Sequence, residues 1–198
     1  MLRNLIFCLI ILGASPFQCS SDEDEPEIIA TVNKPHLLNI EGNQNVFSVD
    51  EEIIINTKIP NVVTSENNEN LTLTDYMDES TASLSYWLYV YKDRADGELQ
   101  GMPIAFAQAE IGDVSYEGLD HGMSISNIFV QEENAFISQV KFKVSELGTY
   151  YIGGGYYDGY TDLQKVKIIP YNGSNGQVRV FTSIVDTNEN GLYEFTIE

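Results

Sequence analysis

Three stretches of this 198-residue chain hold side chains whose types and spacing suit chemistry. The first is DTNENG, in which Asp186, Asn188 and Asn190 alternate ahead of Gly191. A calcium loop opens in the same way, with hard oxygen donors at alternate positions and a glycine for the sharp turn. Such a loop closes on a bidentate acid at its twelfth position. Here that position is Ile197, and Glu198 falls one residue late. A turn between strands explains the stretch more simply. No metal or cofactor is assigned, and Asp186, Asn188 and Asn190 are the one candidate cation loop. The second stretch is GGGYYDGYTD, residues 153–162, where Tyr156, Tyr157, Asp158 and Tyr160 stand among glycines. Tyrosines give rigid amphipathic contact surface, and acids accept hydrogen bonds, so the loop suits a ligand such as a sugar ring. The competing reading is a loop whose tyrosines pack back onto the domain. The third is SYWLYVY. If Leu84, Leu88 and Val90 point inward, Trp87, Tyr89 and Tyr91 line the outer face. An open row of aromatics there would be a binding platform. A covering loop, or a reversal of the two faces, would remove it.

Signatures of catalysis are missing. There is no G-x-S-x-G elbow, phosphate-binding loop, G-x-G-x-x-G or H-E-x-x-H. His36 and His121 are isolated in sequence, and Asp120 beside His121 points away from it on an extended chain. With 30 acidic residues, a hydrolase using two carboxylates at the domain rim stays open as an alternative. No carboxylate sits in a recognisable catalytic setting, and the expectation is that the protein is not an enzyme.

The elements that would position these residues are strands. ASLSYWLYVY (residues 82–91) and FISQVKFKV (residues 136–144) alternate with period two. In the second, Phe136, Val140, Phe142 and Val144 share one face, and Gln139, Lys141 and Lys143 the other. QVRVFTSIV and YEFTI are rich in β-branched and aromatic residues. Five shorter candidates cover residues 53–59, 104–111, 124–130, 149–152 and 164–169. Residues 74–80 suit one short helical turn. Asp96-Gly97, the Asn-Gly pairs of YNGSNG and Asn190-Gly191 tolerate the positive φ of tight turns. About nine strands in one domain, residues 34–198, predict an all-β fold of two packed antiparallel sheets. SELGTYYI adds detail. Its Glu146-x-Gly148-x-Tyr150 resembles the tyrosine corner of immunoglobulin-like sandwiches, where the hydroxyl bonds upstream backbone. The expected class is an immunoglobulin-like β-sandwich with extra strands.

The N-terminus gives an address. Arg3, an apolar run over residues 5–12 and small residues 13–15 make a secretory leader, too short to span a bilayer. Cys19 follows, then SSDEDEPE. This resembles the signal of bacterial lipoproteins, and the acid-rich tract after the cysteine resembles that of surface-exposed Bacteroidetes lipoproteins of unassigned function. Gln18 departs from the small residue usual before such a cysteine. The resemblance implies a leader over residues 1–18, acylation of Cys19 and an outer-membrane, surface-exposed location. Residues 19–33 then read as an acidic flexible tether. Cys8 leaves with the leader, so the folded domain has no disulfide. The formal net charge of −20 speaks against nucleic acid as a partner. The expected function is a non-catalytic binding or accessory role at the cell surface, through glycan capture or assembly with a surface protein. A purely structural envelope role is a further alternative.

Overall fold

The computed structural model describes residues 28–77, 82–93, 97–116, 122–155, 164–170 and 177–198. Sixteen strands are described. The first six are β1 (Ile28–Asn33), β2 (Leu38–Ile40), β3 (Val46–Phe47), β4 (Ile53–Pro60), β5 (Val62–Thr64) and β6 (Asn70–Thr72). β7 (Ser83–Asp93), β8 (Leu99–Gly101), β9 (Ala107–Ile111), β10 (Asp113–Ser115) and β11 (Gly122–Val130) follow. β12 (Ala135–Phe142), β13 (Gly148–Gly153), β14 (Val166–Pro170), β15 (Gln177–Thr182) and β16 (Tyr193–Ile197) complete the series. All nine expected strands are present. The additional ones are mostly two or three residues long, below the length at which alternation is legible.

Fourteen strands form one network, with β1-β15-β14-β7-β11-β12-β4-β2 as its main path. The network curls so that β4 and β12 face β7, and the fold is an immunoglobulin-like β-sandwich with extra strands. Pairing is antiparallel except for β1 with β15 and β16 with β3. β7 is the hub. One of its edges holds β14 at Leu84–Tyr86 and β13 at Tyr89–Lys92, and the other holds β11 and then β8.

Register explains the core. Phe136, Ser138, Val140 and Phe142 of β12 lie opposite Ile59, Thr57, Ile55 and Ile53 of β4, and all eight are buried. On the facing layer Val32, Val180, Ile168, Tyr86 and Ile125 form a fully covered inward row across five strands. The alternation that buries these residues turns their neighbours to the outer surface. Tyr86 carries a hydroxyl into this interior, where it lies 2.5 Å from Thr57 Oγ1. Burial pushes the Tyr86 hydroxyl up to about 12, against the opposing pull of Thr57.

Tyr150 makes the expected corner. Its hydroxyl donates to the Glu146 carbonyl at 2.8 Å, and its ring is fully buried against Phe195. Gly148 turns the chain at φ 144°, in the region that favours glycine.

Two expectations need correction. The tether was expected to run to residue 33, but residues 28–33 are β1, which buries Val32 and pairs with β15. The Thr31 carbonyl on its outer edge accepts from the Glu66 amide, so the β5–β6 hairpin covers part of that edge. The Asn190-Gly191 turn joins β15 to β16, yet these strands do not pair with each other. β16 pairs with β13 and β3, so the loop is a corner between different parts of the network.

Candidate functional site

Trp87, Tyr89 and Tyr91 share the face opposite Leu88 and Val90, as alternation along β7 requires. They form a ladder. The Trp87 and Tyr89 rings stack at 6.4 Å, and those of Tyr89 and Tyr91 at 6.1 Å. The ladder is not an open platform. Tyr89 is 8% exposed and Tyr91 6%, and Trp87 alone is half-buried. Glycines 153–155 supply part of the cover. The Tyr91 hydroxyl donates to the Gly154 carbonyl at 2.7 Å, and a Cβ on Gly155 would sit 1.7 Å from the Tyr89 ring. The expectation of three exposed aromatics is therefore corrected: Tyr89 and Tyr91 are buried, and Trp87, stacked on Tyr89, is half-buried.

Trp87 belongs to a wider surface, the outer face of β1, β15, β14, β7, β11 and β10. Asn33 lies opposite Phe181, and Phe181 opposite Lys167. One step beyond the last β14–β7 pair, Lys167 stands level with Trp87. Trp87 lies opposite Ser124, and Ser124 opposite Ser115. One transverse row thus presents amide, aromatic, ammonium, aromatic and two hydroxyls. A second row holds Thr31, Arg179, Ile169, Ser85, Ser126 and Asp113, with the two serine oxygens 2.9 Å apart. Alternation sets this arrangement: Val178, Val180, Val166 and Ile168 are buried, so Arg179, Phe181 and Lys167 face outward. At the end of the face a cavity of about 220 Å³ lies among Lys34, Lys165, Phe181, Thr182 and Ser183.

Lys167, Arg179 and Phe181 were absent from the expected site. The alternation of QVRVF and KVKII could have shown that they point outward. Their place beside Trp87 depends on which strands become neighbours, and no local pattern states that.

The other expected positions fall as follows. Cys19, Tyr156, Tyr157, Asp158 and Tyr160 lie outside the described residues, as do Asp120 and His121. In the candidate cation loop the Asn188 Oδ1 accepts from the amides of Asn190 at 3.0 Å and Leu192 at 3.2 Å. That oxygen closes its own turn. Asp186 adopts φ 58° next to it, and among the described residues no three His, Cys, Asp or Glu side chains converge on one point. Among carboxylates, Glu51 is held below its usual range by the Ser48 amide, which donates to it at 2.7 Å, and by Gln44. A general acid needs the opposite shift.

No known protein family and no characterised protein matches the sequence. Among the solved structures with a loose likeness are two cohesin structures. The type II cohesin dyad from the adaptor ScaA scaffoldin of Acetivibrio cellulolyticus is 10% identical, with a TM-score of 0.38, and the match covers 85% of this chain and 49% of that one. This chain therefore spans about half the length of the dyad. A type II cohesin domain from the cellulosome of Acetivibrio cellulolyticus is 14% identical, with a TM-score of 0.35, over 82% of this chain and 95% of that one. Likeness of this degree speaks to neither site nor ligand.

Proposed function

We propose that this chain is a non-catalytic cell-surface lipoprotein that captures extended polysaccharide on the outer face around Trp87. The observation that carries the reading is the position of Trp87. It is a half-buried indole, stacked on Tyr89, within an outer face of aromatic, hydroxyl and amide groups. An aromatic held in place loses little freedom when a sugar ring stacks on it. Serine and asparagine side chains in the same row match sugar hydroxyls. The leader and Cys19 supply the address: residues 1–18 are removed, acyl chains on Cys19 hold the protein to the outer membrane, and the acidic residues before β1 space the domain from the bilayer. The loop with Tyr156, Tyr157, Asp158 and Tyr160 follows directly on glycines 153–155, which cover Tyr89 and Tyr91, so this reading assigns it to the same ligand.

Affinity electrophoresis through gels containing a panel of polysaccharides tests the reading. At least one polymer is expected to retard the wild-type protein, and Trp87→Ala is expected to remove most of the retardation while leaving the urea midpoint close to wild type. Retardation that survives Trp87→Ala would show that the face is not the capture site.

A further inference from the structure

The hairpin of β11 and β12 forks. The two strands pair at Val130–Ala135, Phe129–Phe136 and Ile128–Ile137, and then separate. Beyond that point β11 pairs with β10, where Ser126 lies opposite Asp113, and β12 pairs with β9, where Gln139 lies opposite Ile111. Gly112 stands between Ile111 and Asp113, so the corner from β9 to β10 sits in the fork. It turns at φ 84°, and a Cβ on it would fall 2.3 Å from the Ser126 carbonyl oxygen and 3.1 Å from the Ser138 Cβ. Asn127 and Ser138 stand where the fork opens, one step past the last shared pair. Both are covered, Asn127 at 0% exposure and Ser138 at 1%. The Asn127 Nδ2 donates to the Leu84 carbonyl at 2.7 Å. A carbonyl only accepts, so this bond fixes which end of the carboxamide is nitrogen. It leaves Oδ1 as a buried acceptor, and among the described residues that oxygen has no partner. The Ser138 Oγ has no hydrogen-bond partner there either, although it lies near enough to the Tyr86 hydroxyl to favour its ionised form.

We infer that the fork is a binding site for one internal water molecule, which bridges the Asn127 Oδ1 and the Ser138 Oγ. Buried polar groups in folded proteins are paired, and an internal water serves where two side chains do not meet. The divergence of β11 from β12 gives the space. The water would donate one hydrogen to Asn127 Oδ1 and the other to Ser138 Oγ. The Ser138 hydroxyl hydrogen is then free to turn to Tyr86, whose oxygen lies 2.5 Å from Thr57 Oγ1. A chain of polar contacts then runs from Thr57 on β4, through Ser138 and Asn127, to the Leu84 carbonyl on β7. Other occupants fit less well. A metal ion would exchange its hydration for neutral oxygens, and burying a charge without a counter-charge is costly. An apolar guest would leave both oxygens desolvated and unpaired. The water fastens β11 to β12 where their ladder ends. It does so on the inner side of the strand whose Ser126 meets Ser85 on the outer face.

A high-resolution crystal structure of the protein and oxygen-17 magnetic relaxation dispersion in solution test the inference. The crystal is expected to show density for one ordered water within hydrogen-bonding distance of both Asn127 Oδ1 and Ser138 Oγ. The dispersion measurement counts long-lived waters, and it follows the water oxygen rather than protons exchanged with hydroxyls. Asn127→Leu combined with Ser138→Ala removes both bridging oxygens at similar shape, and this variant is expected to lose one long-lived water relative to wild type. Its urea transition confirms that it folds. A direct hydrogen bond between Ser138 and Asn127 in the crystal, or apolar side chains closing the fork, would overturn the inference. An unchanged count of long-lived waters in the folded double variant would overturn it as well. If the double variant does not fold, the wild-type crystal decides alone, since density at the fork supports the site and its absence there refutes it.

Discussion

Tyr86 carries its hydroxyl across the sandwich to Thr57, and Ser138, the register partner of Thr57, adds a second hydroxyl beside it. Removing one partner from such a buried contact leaves the other desolvated, which costs about 1–3 kcal/mol. Tyr86→Phe should therefore lower stability by about 2 kcal/mol in urea denaturation. Adding Thr57→Val should cost less than the sum of the two single changes, because the second change removes the orphaned group. The pH dependence follows from the same burial. The folded-state hydroxyl holds its proton to about 12, while the ordinary value is 10.0. Between those values the unfolded chain binds fewer protons than the folded one, so stability falls as pH rises through that window. Tyr86→Phe should flatten the fall. Tyr151 and Tyr193, both raised chiefly by burial, keep part of the slope. A fall in Tyr86→Phe as steep as in wild type would refute the assignment. Tyr150 shows what a residue can reveal locally. Its partner lies four positions upstream in a recognisable spacing, so the corner was legible. The partner of Tyr86 is 29 positions away, and nothing in the strand sequence announced it.

Among the elements, β7 shows most clearly how position becomes surface. Its inward residues Leu84, Tyr86, Leu88 and Val90 are all buried, and its period-two pattern identified both faces correctly. What the pattern left out was the neighbourhood. β14 occupies one half of an edge of β7 and β13 the other half, and this division leaves Trp87 half-buried while Tyr89 and Tyr91 are covered. Only Trp87 lies beside the Lys167 and Phe181 row. The beginning of the domain was misread for a related reason. The acidic run before residue 28 suggested a tether continuing to Asn33, whereas a single buried valine and a parallel ladder make that segment a strand. The glycines after β13 give an element-scale prediction. A side chain on Gly155 would overlap the Tyr89 ring, so Gly155→Ala must displace ring or backbone. Overpacking of this kind destabilises by about 1–3 kcal/mol. The melting temperature should fall by several degrees, and the near-ultraviolet dichroism of the stacked ladder should weaken. An unchanged spectrum and midpoint would show that the glycine segment does not lie on Tyr89.

For the molecule as a whole, the proposed anchor and the proposed binding face are separable. Cys19 stands nine residues before the first strand. At about 3.3–3.6 Å per extended residue, this segment spans at most about 30 Å. β1, which follows the proposed tether in sequence, is an end strand of the sheet whose outer surface carries Trp87, so the proposed anchor would lead to the side of the domain that holds the proposed face. Acyl chains anchor by buried methylenes, each worth about 0.8 kcal/mol, and require nothing of the sandwich. Cys19→Ala should therefore abolish metabolic labelling by a fatty-acid probe and move the protein out of the membrane fraction. The released protein should keep its wild-type retardation in polysaccharide gels and its wild-type urea midpoint. Equal labelling of Cys19→Ala and wild type would remove the lipoprotein reading and leave the face untouched. Loss of polysaccharide binding in a folded, released protein would mean instead that capture depends on the membrane.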